Sequence, residues 1–271
     1  MRRWKLSTFV VLLFSVALSA QTVDELIAKN IQAHGGLAKL KALQSIRVTG
    51  DVDIGGMQAG FTQVFKRPMK TRADISVQGM SMVQAYDGQT GWQIVPFTGK
   101  KDPELMTADD LKRIQEEADF DGPLMDYKQK GNTVELIGKE KIEGTDAYHL
   151  KVTLKNGDVR NLYMDADSYL AIKTVAKITM RGTEVEYESS IGDYKQVEGI
   201  MFPFSIEQRP VGGQGPGQKI TFTKVEFNVP VDDAVFKMPA AAPPSTPEKS
   251  GTAPTGAPPS KPDSGGKPPQ I

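Results

Sequence analysis

The chain carries two histidines and no cysteine, which removes most familiar reactive centres at once. Without Cys there is no disulfide, no thiolate nucleophile and no Cys-ligated metal. His34 stands before Gly35-Gly36 at the end of a helical stretch, where an imidazole can interact with the helix C-terminus. His149 falls on the polar side of an alternating segment, and neither His has partners at metal-ligand spacing. The sequence holds no G-x-S-x-G elbow, no P-loop and no G-x-G-x-x-G after a strand. Gly212-Gly213-Gln214-Gly215-Pro216-Gly217 lies between two strands, contains Pro, and reads as a hairpin loop rather than a phosphate cradle. These residues predict no catalytic group, no metal and no cofactor. An enzyme working by binding and orientation alone is the least favoured class, because no nucleophile–base pair is visible.

Two groups of residues remain as candidates. Glu116, Glu117, Asp119 and Asp121 precede Gly122. A calcium or magnesium site is one reading, but the further spaced ligands and terminal Glu of an EF-hand loop are missing. A solvated helix end running into a turn is the preferred reading. The second group is apolar: Phe61, Phe65, Ile75, Met80, Met82, Trp92 and Phe97, with Leu124 and Met125 in the following Pro123–Tyr127 segment. Met and aromatic side chains make adaptable surfaces that can line a ligand site. They also fill ordinary cores, and both readings stand.

The elements that must position these residues are mostly strands. Thr22 with Glu25 forms a capping box, and Val23, Leu26, Ile27 and Ile31 follow at helical spacing before Gly35-Gly36. A second short helix is expected over Leu37 to Leu43. The period then becomes two. Ile46, Val48, Val52 and Ile54 alternate with Arg47, Thr49, Asp51 and Asp53. Tyr148, Leu150, Val152 and Leu154, then Val185, Tyr187 and Ile191, repeat the pattern. Ile220 and Phe222 share one phase and Val225 and Phe227 the other, which predicts a bulge between them. Asn156-Gly157-Asp158, Asp87-Gly88, Arg181-Gly182 and Glu198-Gly199 supply hairpin turns. Thr107-Ala108-Asp109-Asp110 opens a helical insertion with Leu111, Ile114 and Ala118. The expected fold is mainly β (α+β): a large antiparallel sheet of roughly ten to twelve strands with an N-terminal helix and a mid-chain helical lid. A sheet with one apolar face and few helices must curl to cover it, which leaves either a cavity or a filled sandwich core.

The two ends differ from the middle. Arg2, Arg3 and Lys5, an apolar run from Phe9, and Ala17-Leu18-Ser19-Ala20 form a secretory signal peptide over residues 1–20. The run is shorter than the roughly 20 apolar residues of a membrane span. No Cys follows, so no lipid is attached there. A periplasmic location is expected. Removal of the leader changes a balance of 33 basic and 33 acidic residues to 30 against 33. Such a chain has no global pull toward nucleic acid or anionic membrane. Residues 240–271 hold half of the 18 prolines and form a Pro/Gly/Ser-rich tail expected to be disordered. A spacer or partner-binding role and an inert tail are both open for it. Residues 21–239 read as one domain.

Short motifs within that domain resemble a known family. Phe65-Lys66-Arg67-Pro68 is followed by Ala85-Tyr86-Asp87-Gly88-Gln89-Thr90-Gly91-Trp92, and Asp233-Ala234-Val235-Phe236-Lys237-Met238-Pro239 comes near the end. Their order and spacing are similar to the K-R-P element, D-G-K-T-x-W hairpin and closing D-x-x-x-F-x-x-P of LolA-type lipoprotein carriers. Ala33-His34-Gly35-Gly36 is similar to a branch of outer-membrane lipoprotein-sorting proteins. The resemblance implies an incomplete antiparallel barrel of about eleven strands, closed by helices over an apolar cavity. It implies acyl chains of lipid or lipoprotein as ligand, a monomeric carrier, and Arg67 as the residue that hydrogen-bonds the lid. Helix-end carbonyls are suitable acceptors for such a guanidinium. The strand after Arg67 departs from the family, carrying Arg72 and Asp74 where aromatic residues are common, and the tail is unlike the carriers. The same fold serves RseB-type envelope sensors. An interaction module that binds an envelope membrane protein is therefore the alternative to a carrier.

Overall fold

The computed structural model describes residues 21–99, 102–180, 183–213 and 217–240. The expected leader over 1–20, and all but the first residue of the expected tail, lie outside the described residues. Helix α1 (Val23–Ala33) begins where the sequence places it. Thr22 Oγ1 accepts from the Glu25 amide at 3.2 Å, and the Glu25 carboxylate accepts from the Thr22 amide at 2.9 Å. Gly35, at φ +118°, turns the chain into α2 (Leu37–Ala42). A Cβ on Gly35 would lie 2.5 Å from the Gly199 carbonyl oxygen, so only glycine allows this approach. The same turn is bonded to residue 201: the Met201 amide donates to the His34 carbonyl at 3.1 Å, and His34 Nδ1 donates to the Met201 carbonyl at 2.9 Å. His34 therefore ties the helical opening to the sheet.

Among the described residues the sheet contains 13 strands. They are β1 (Ser45–Ile54), β2 (Met57–Lys66), β3 (Lys70–Val77), β4 (Met80–Tyr86), β5 (Gly91–Ile94) and β6 (Glu104–Leu105), then β7 (Thr133–Ile142), β8 (Thr145–Thr153), β9 (Val159–Asp165), β10 (Ala171–Met180), β11 (Thr183–Val197), β12 (Ile200–Pro210) and β13 (Gln218–Phe227). Their spatial order is β6-β5-β4-β3-β2-β1-β13-β12-β11-β10-β9-β8-β7. Neighbouring strands among the described residues pair antiparallel, and β6 and β7 are the two edges. Alternation suggests roughly ten to twelve strands and the resemblance about eleven; β6, at 2 residues, is too short to leave an alternating pattern. The expected bulge is present: Thr49 pairs with Lys224 but Gly50 with Phe222. It lets Phe222 and Val225 reach one face despite their sequence phase.

The chain passes from edge β6 to edge β7 through α3 (Ala108–Ala118) and α4 (Tyr127–Lys130). Helix α3 is capped by Thr107, which accepts from the Asp110 amide at 3.2 Å. Its bonds show that the sheet is curled. Gln115 donates to the Tyr86 hydroxyl on β4 at 3.3 Å, while its neighbour Glu116 accepts from Asn156 at 2.8 Å and from Arg160 on β9. In a flat sheet, β4 and β9 would be about 38 Å apart at the usual strand spacing. Adjacent residues of one helix can reach both only if the sheet wraps toward itself. The result is an open, curled antiparallel barrel with helices on its inner face.

Candidate ligand-binding face

Registers assign the side chains to faces. Ile46 pairs with Phe65, Val48 with Gln63, and Gly50 with Phe61. Phe61 pairs with Ile75, and Ile75 with Met82. Across the other side of β1, Gly50 pairs with Phe222 and Val52 with Ile220, which faces Ile206 on β12. These residues share the inner face. The helices fill parts of it. Helix α1 and Leu124 pack with Tyr148, Leu150, Val152, Leu162 and Met164. Leu43, just after α2, packs with Ile46, Val48, Ile200, Phe204, Val225 and Phe227. Ile114 and Ala118 of α3 pack on Tyr86, Met69 and Met106. Gly91 permits that approach, since a Cβ there would meet Leu111 Cδ1 at 2.8 Å.

Between these clusters the inner face is not fully covered. Phe61, Phe65, Ile75, Met82, Phe202, Ile206, Ile220 and Phe222 are all only part-buried. Edge-to-face contacts link Phe61 to Phe222 and Phe222 to Phe202, with centroids 5.8 and 5.6 Å apart. Of the sequence candidates, Phe61, Phe65, Ile75 and Met82 are brought together here. Phe202, Ile206, Ile220 and Phe222 were missed as site residues. Their strand phase was legible, but the β1–β13 pairing that joins them to Phe61 spans most of the domain.

Arg67 stands at the end of this face. Its Nε donates to the Leu43 carbonyl at 2.6 Å, and its Nη2 to the Leu40 carbonyl at 3.3 Å. Its Nη1 and Nη2 donate to the Asp121 carboxylate at 2.5 and 2.7 Å. This two-bond pairing raises the Arg67 pKa further, against the opposing effect of burial. The guanidinium lies 4.7 Å from the Phe120 ring centroid, and Phe120 meets Phe65 edge-to-face at 6.3 Å. Arg67 thus connects α2, the segment after α3, and the aromatic residues of the inner face. Asp121 and Phe120 were not among the sequence candidates for this contact.

The acidic cluster has other work. Glu116 pairs with Arg160, Glu117 with Arg113 and Gln63, Asp119 with Lys130 at 2.5 Å, and Asp121 with Arg67. These carboxylates diverge to separate partners and fasten α3 and its following segment across the sheet. They do so as bridges, where the sequence suggested a solvated helix end.

The remaining apolar candidates lie elsewhere. Ala85 pairs with Trp92 and Val83 with Ile94, so these four occupy the outer face of β4 and β5. Trp92 is 1% exposed there. Its indole donates to the Phe236 carbonyl at 2.8 Å. The cause is a C-terminal 3-10 turn, Asp233–Phe236, laid over the outer face. Asp233 accepts from Lys66 and Lys70, both at 2.7 Å, and Phe236 is fully buried. Arg72 pairs with Asp74, donates to the Val235 carbonyl at 2.9 Å, and lies 5.8 Å from the Trp92 ring. Trp92 is therefore separated from Phe61, Ile75 and Met82 by the thickness of the sheet. Phe97, in the Pro96–Thr98 turn, is 48% exposed, and Met80 is 40% exposed at a hairpin tip. Leu124 is core beneath α1, and Met125 is 4% exposed. Two surface depressions are present: one of about 500 Å3 is lined by Gln44, Ser45, Lys66 and the Asn228–Asp232 segment, and one of about 410 Å3 by Thr49, Asp51, Thr62, Asp74 and Ser76 together with Gly50, Phe61 and Ile75. By register Thr49, Asp51, Thr62, Asp74 and Ser76 point outward, while Phe61 and Ile75 belong to the inner face.

No family model and no curated protein matches the sequence. Solved structures do. An outer-membrane lipoprotein-sorting protein domain from Vibrio parahaemolyticus is 11% identical, with a TM-score of 0.54, covering 79% of this chain and 97% of that one. A DUF1329 family protein from Desulfovibrio piger is 14% identical, with a TM-score of 0.56 and coverage of 80% and 98%. A LolA superfamily protein from Nitrosomonas europaea is 13% identical, with a TM-score of 0.55 and coverage of 80% and 98%. The chain has a LolA-like fold. The likeness carries the architecture. What the inner face does rests on its own residues.

Proposed function

We propose that this protein is an exported carrier or binder of lipid or lipoprotein acyl chains, which lie along the part-buried inner face under α3. One observation carries the reading: Phe61, Ile75, Met82, Phe202, Ile206, Ile220 and Phe222 form a continuous apolar surface that the helices leave incompletely covered. An acyl chain there would gain roughly 0.8 kcal/mol for each methylene removed from water. The fold likeness to a lipoprotein-sorting domain agrees with this use.

In this reading α3 and the 119–126 segment form the lid, and Arg67 is its latch. The inner-face contacts of α3 include Ile114 and Ala118 and three polar bonds: Glu117 accepts from Gln63, Arg113 donates to Gln84, and Gln115 donates to the Tyr86 hydroxyl. Polar bonds can be exchanged for water during opening at small net cost, about 1 kcal/mol each. The described domain would act in the periplasm as a monomer, following removal of residues 1–20. No helix among the described residues is long and apolar enough to cross a membrane. The test is mass spectrometry of the native protein purified from cell envelopes. Co-purifying acyl compounds are expected, and protein free of them that also ignores a fluorescent fatty acid would contradict the reading.

A further inference from the structure

On β4 and β5 the usual polarity of a sheet is reversed. Val83, Ala85 and Trp92 face outward and are buried, while the inward-facing residues between them are Gln84 and Gln93. Gln84 pairs with Gln93 and, across Ala73 of β3, lines up with Gln63 of β2. The three carboxamides form one row across the inner face from β2 to β5, about 14 Å wide at the usual strand spacing. All three are part-buried. Helix α3 lies against the row: Glu117 accepts from Gln63, and Arg113 donates to Gln84 at 3.4 Å. Gln63 also donates to Thr71 at 3.3 Å, and Gln93 donates to Glu104 of β6 at 3.4 Å. A carboxamide offers two N–H donors and an oxygen with two lone pairs, so these bonds engage only part of the row's capacity. The next inward-facing row along the same strands is apolar: Phe61, Ile75 and Met82. It lies about 7 Å away at the usual rise per residue. The inner face is therefore amphipathic, with an amide-lined part beside an apolar part.

We infer that the ligand is an amphiphile with an uncharged head of ester, amide or hydroxyl groups, which sits on Gln63, Gln84 and Gln93 while its acyl chain follows Phe61, Ile75 and Met82. The inference rests on the reading of the inner face as an acyl-chain site and names the class of molecule that the site takes. Two observations select an uncharged head. The first is the kind of hydrogen bonding. Carboxamides donate and accept alike, and so match a head that does both. The second is charge. The charged side chains bonded to the row are Arg113, Glu117 and Glu104, with Asp110 4.0 Å from Arg113. Three carboxylates to one guanidinium oppose a carboxylate or phosphate head, whose desolvation would find no spare counter-charge. Arg113, bonded to the middle of the row, opposes a cationic head at the same place. The head would also take over the bonds that α3 gives up on opening, so that the amides are not left unpaired beneath the ligand.

The experiment is displacement of a fluorescent fatty acid from the full mature chain by competitors that share one chain length: oleate, oleylamine, monooleoylglycerol and N-oleoylglycinamide. The two uncharged competitors should displace the probe at roughly tenfold lower concentration than oleate or oleylamine. They also separate the sources of such a head. The first carries the ester and hydroxyls of a glyceride, the second the amide of an acylated peptide, and the tighter binder names the source. Gln84→Leu should shrink the advantage over oleate to about threefold or less. Glu117→Gln, at an exposed helix position, keeps an acceptor for Gln63 and should shrink the same advantage by tightening oleate. Melting temperatures near that of the wild type would show that both variants fold. Oleate or oleylamine competing as well as the uncharged pair overturns the inference. So does an advantage that neither variant changes. A probe that fails to bind the wild type at all would instead strike the acyl-chain reading beneath it.

Discussion

Arg67 gathers acceptors from two separate places: the carbonyls of Leu40 and Leu43 and the carboxylate of Asp121. Substitution by Leu leaves those carbonyls and Asp121 without their donor, and Lys cannot reproduce the two-bond pairing with Asp121. Arg67→Leu should destabilise the fold by about 1–3 kcal/mol. It should also raise amide hydrogen exchange through α3 and residues 119–126 more than in β8 and β9. Equal acceleration in both regions would mean that Arg67 is only a fold contact. Trp92 works differently. Trp92→Phe removes the donor to the buried Phe236 carbonyl, at a cost of about 1–3 kcal/mol, and should leave fatty-acid affinity unchanged. A loss of affinity in that variant would place Trp92 in the site. Arg67 could be named from sequence because its motif is local. The outer-face position of Trp92 depends on which side of β5 meets the Asp233–Phe236 turn, and no local pattern encodes that.

At the scale of elements, the domain is divided between its helices and its strands. The caps of α1 and α3, the alternation of β1 and the bulge opposite Thr49 were all legible, because each is written within a few neighbouring residues. The two-residue edge strand β6 was not, and neither was the role of the acidic residues of α3. Their partners, Arg160 and Gln63, lie 44 and 54 residues away. Ile114 is the main apolar anchor of α3, 2% exposed against Tyr86. Ile114→Ala should cost about 2–5 kcal/mol, measured by urea denaturation. If α3 is a separable lid, the loss should appear first as a local opening, detected as faster exchange of α3 at urea concentrations where β8 remains protected. A single coincident transition would contradict that separation.

For the whole molecule, pH dependence should include two contacts between distant parts of the chain, those of His34 and Asp233. Burial lowers the pKa of His34 below its ordinary 6.5, so the unfolded state binds a proton more readily than the folded one. Its contribution is therefore complete above about pH 6.5 and is lost as pH falls from there. Hydrogen bonds from Lys66 and Lys70 hold Asp233 at about 2, below its ordinary 3.8, so its contribution is lost as pH falls through the interval between them. Thermal unfolding should show both losses, and His34→Gln should remove the first. A stability unchanged between pH 7 and 5 would contradict the His34 account.

The curled sheet was foreseeable from its apolar phase and few helices, but not whether its inner face was filled. That depends on how α1, α2 and α3 divide the surface. The structure leaves Phe61, Ile75, Met82 and Phe222 part-buried between them. The most direct measurement of the central claim is titration of a fluorescent fatty acid into the wild type, Ile75→Asn, Met82→Gln and the outer-face variant Arg72→Gln. The account predicts saturable binding that both inner-face substitutions weaken by roughly tenfold and Arg72→Gln leaves unchanged. No saturable binding, or equal weakening by all three, would contradict it.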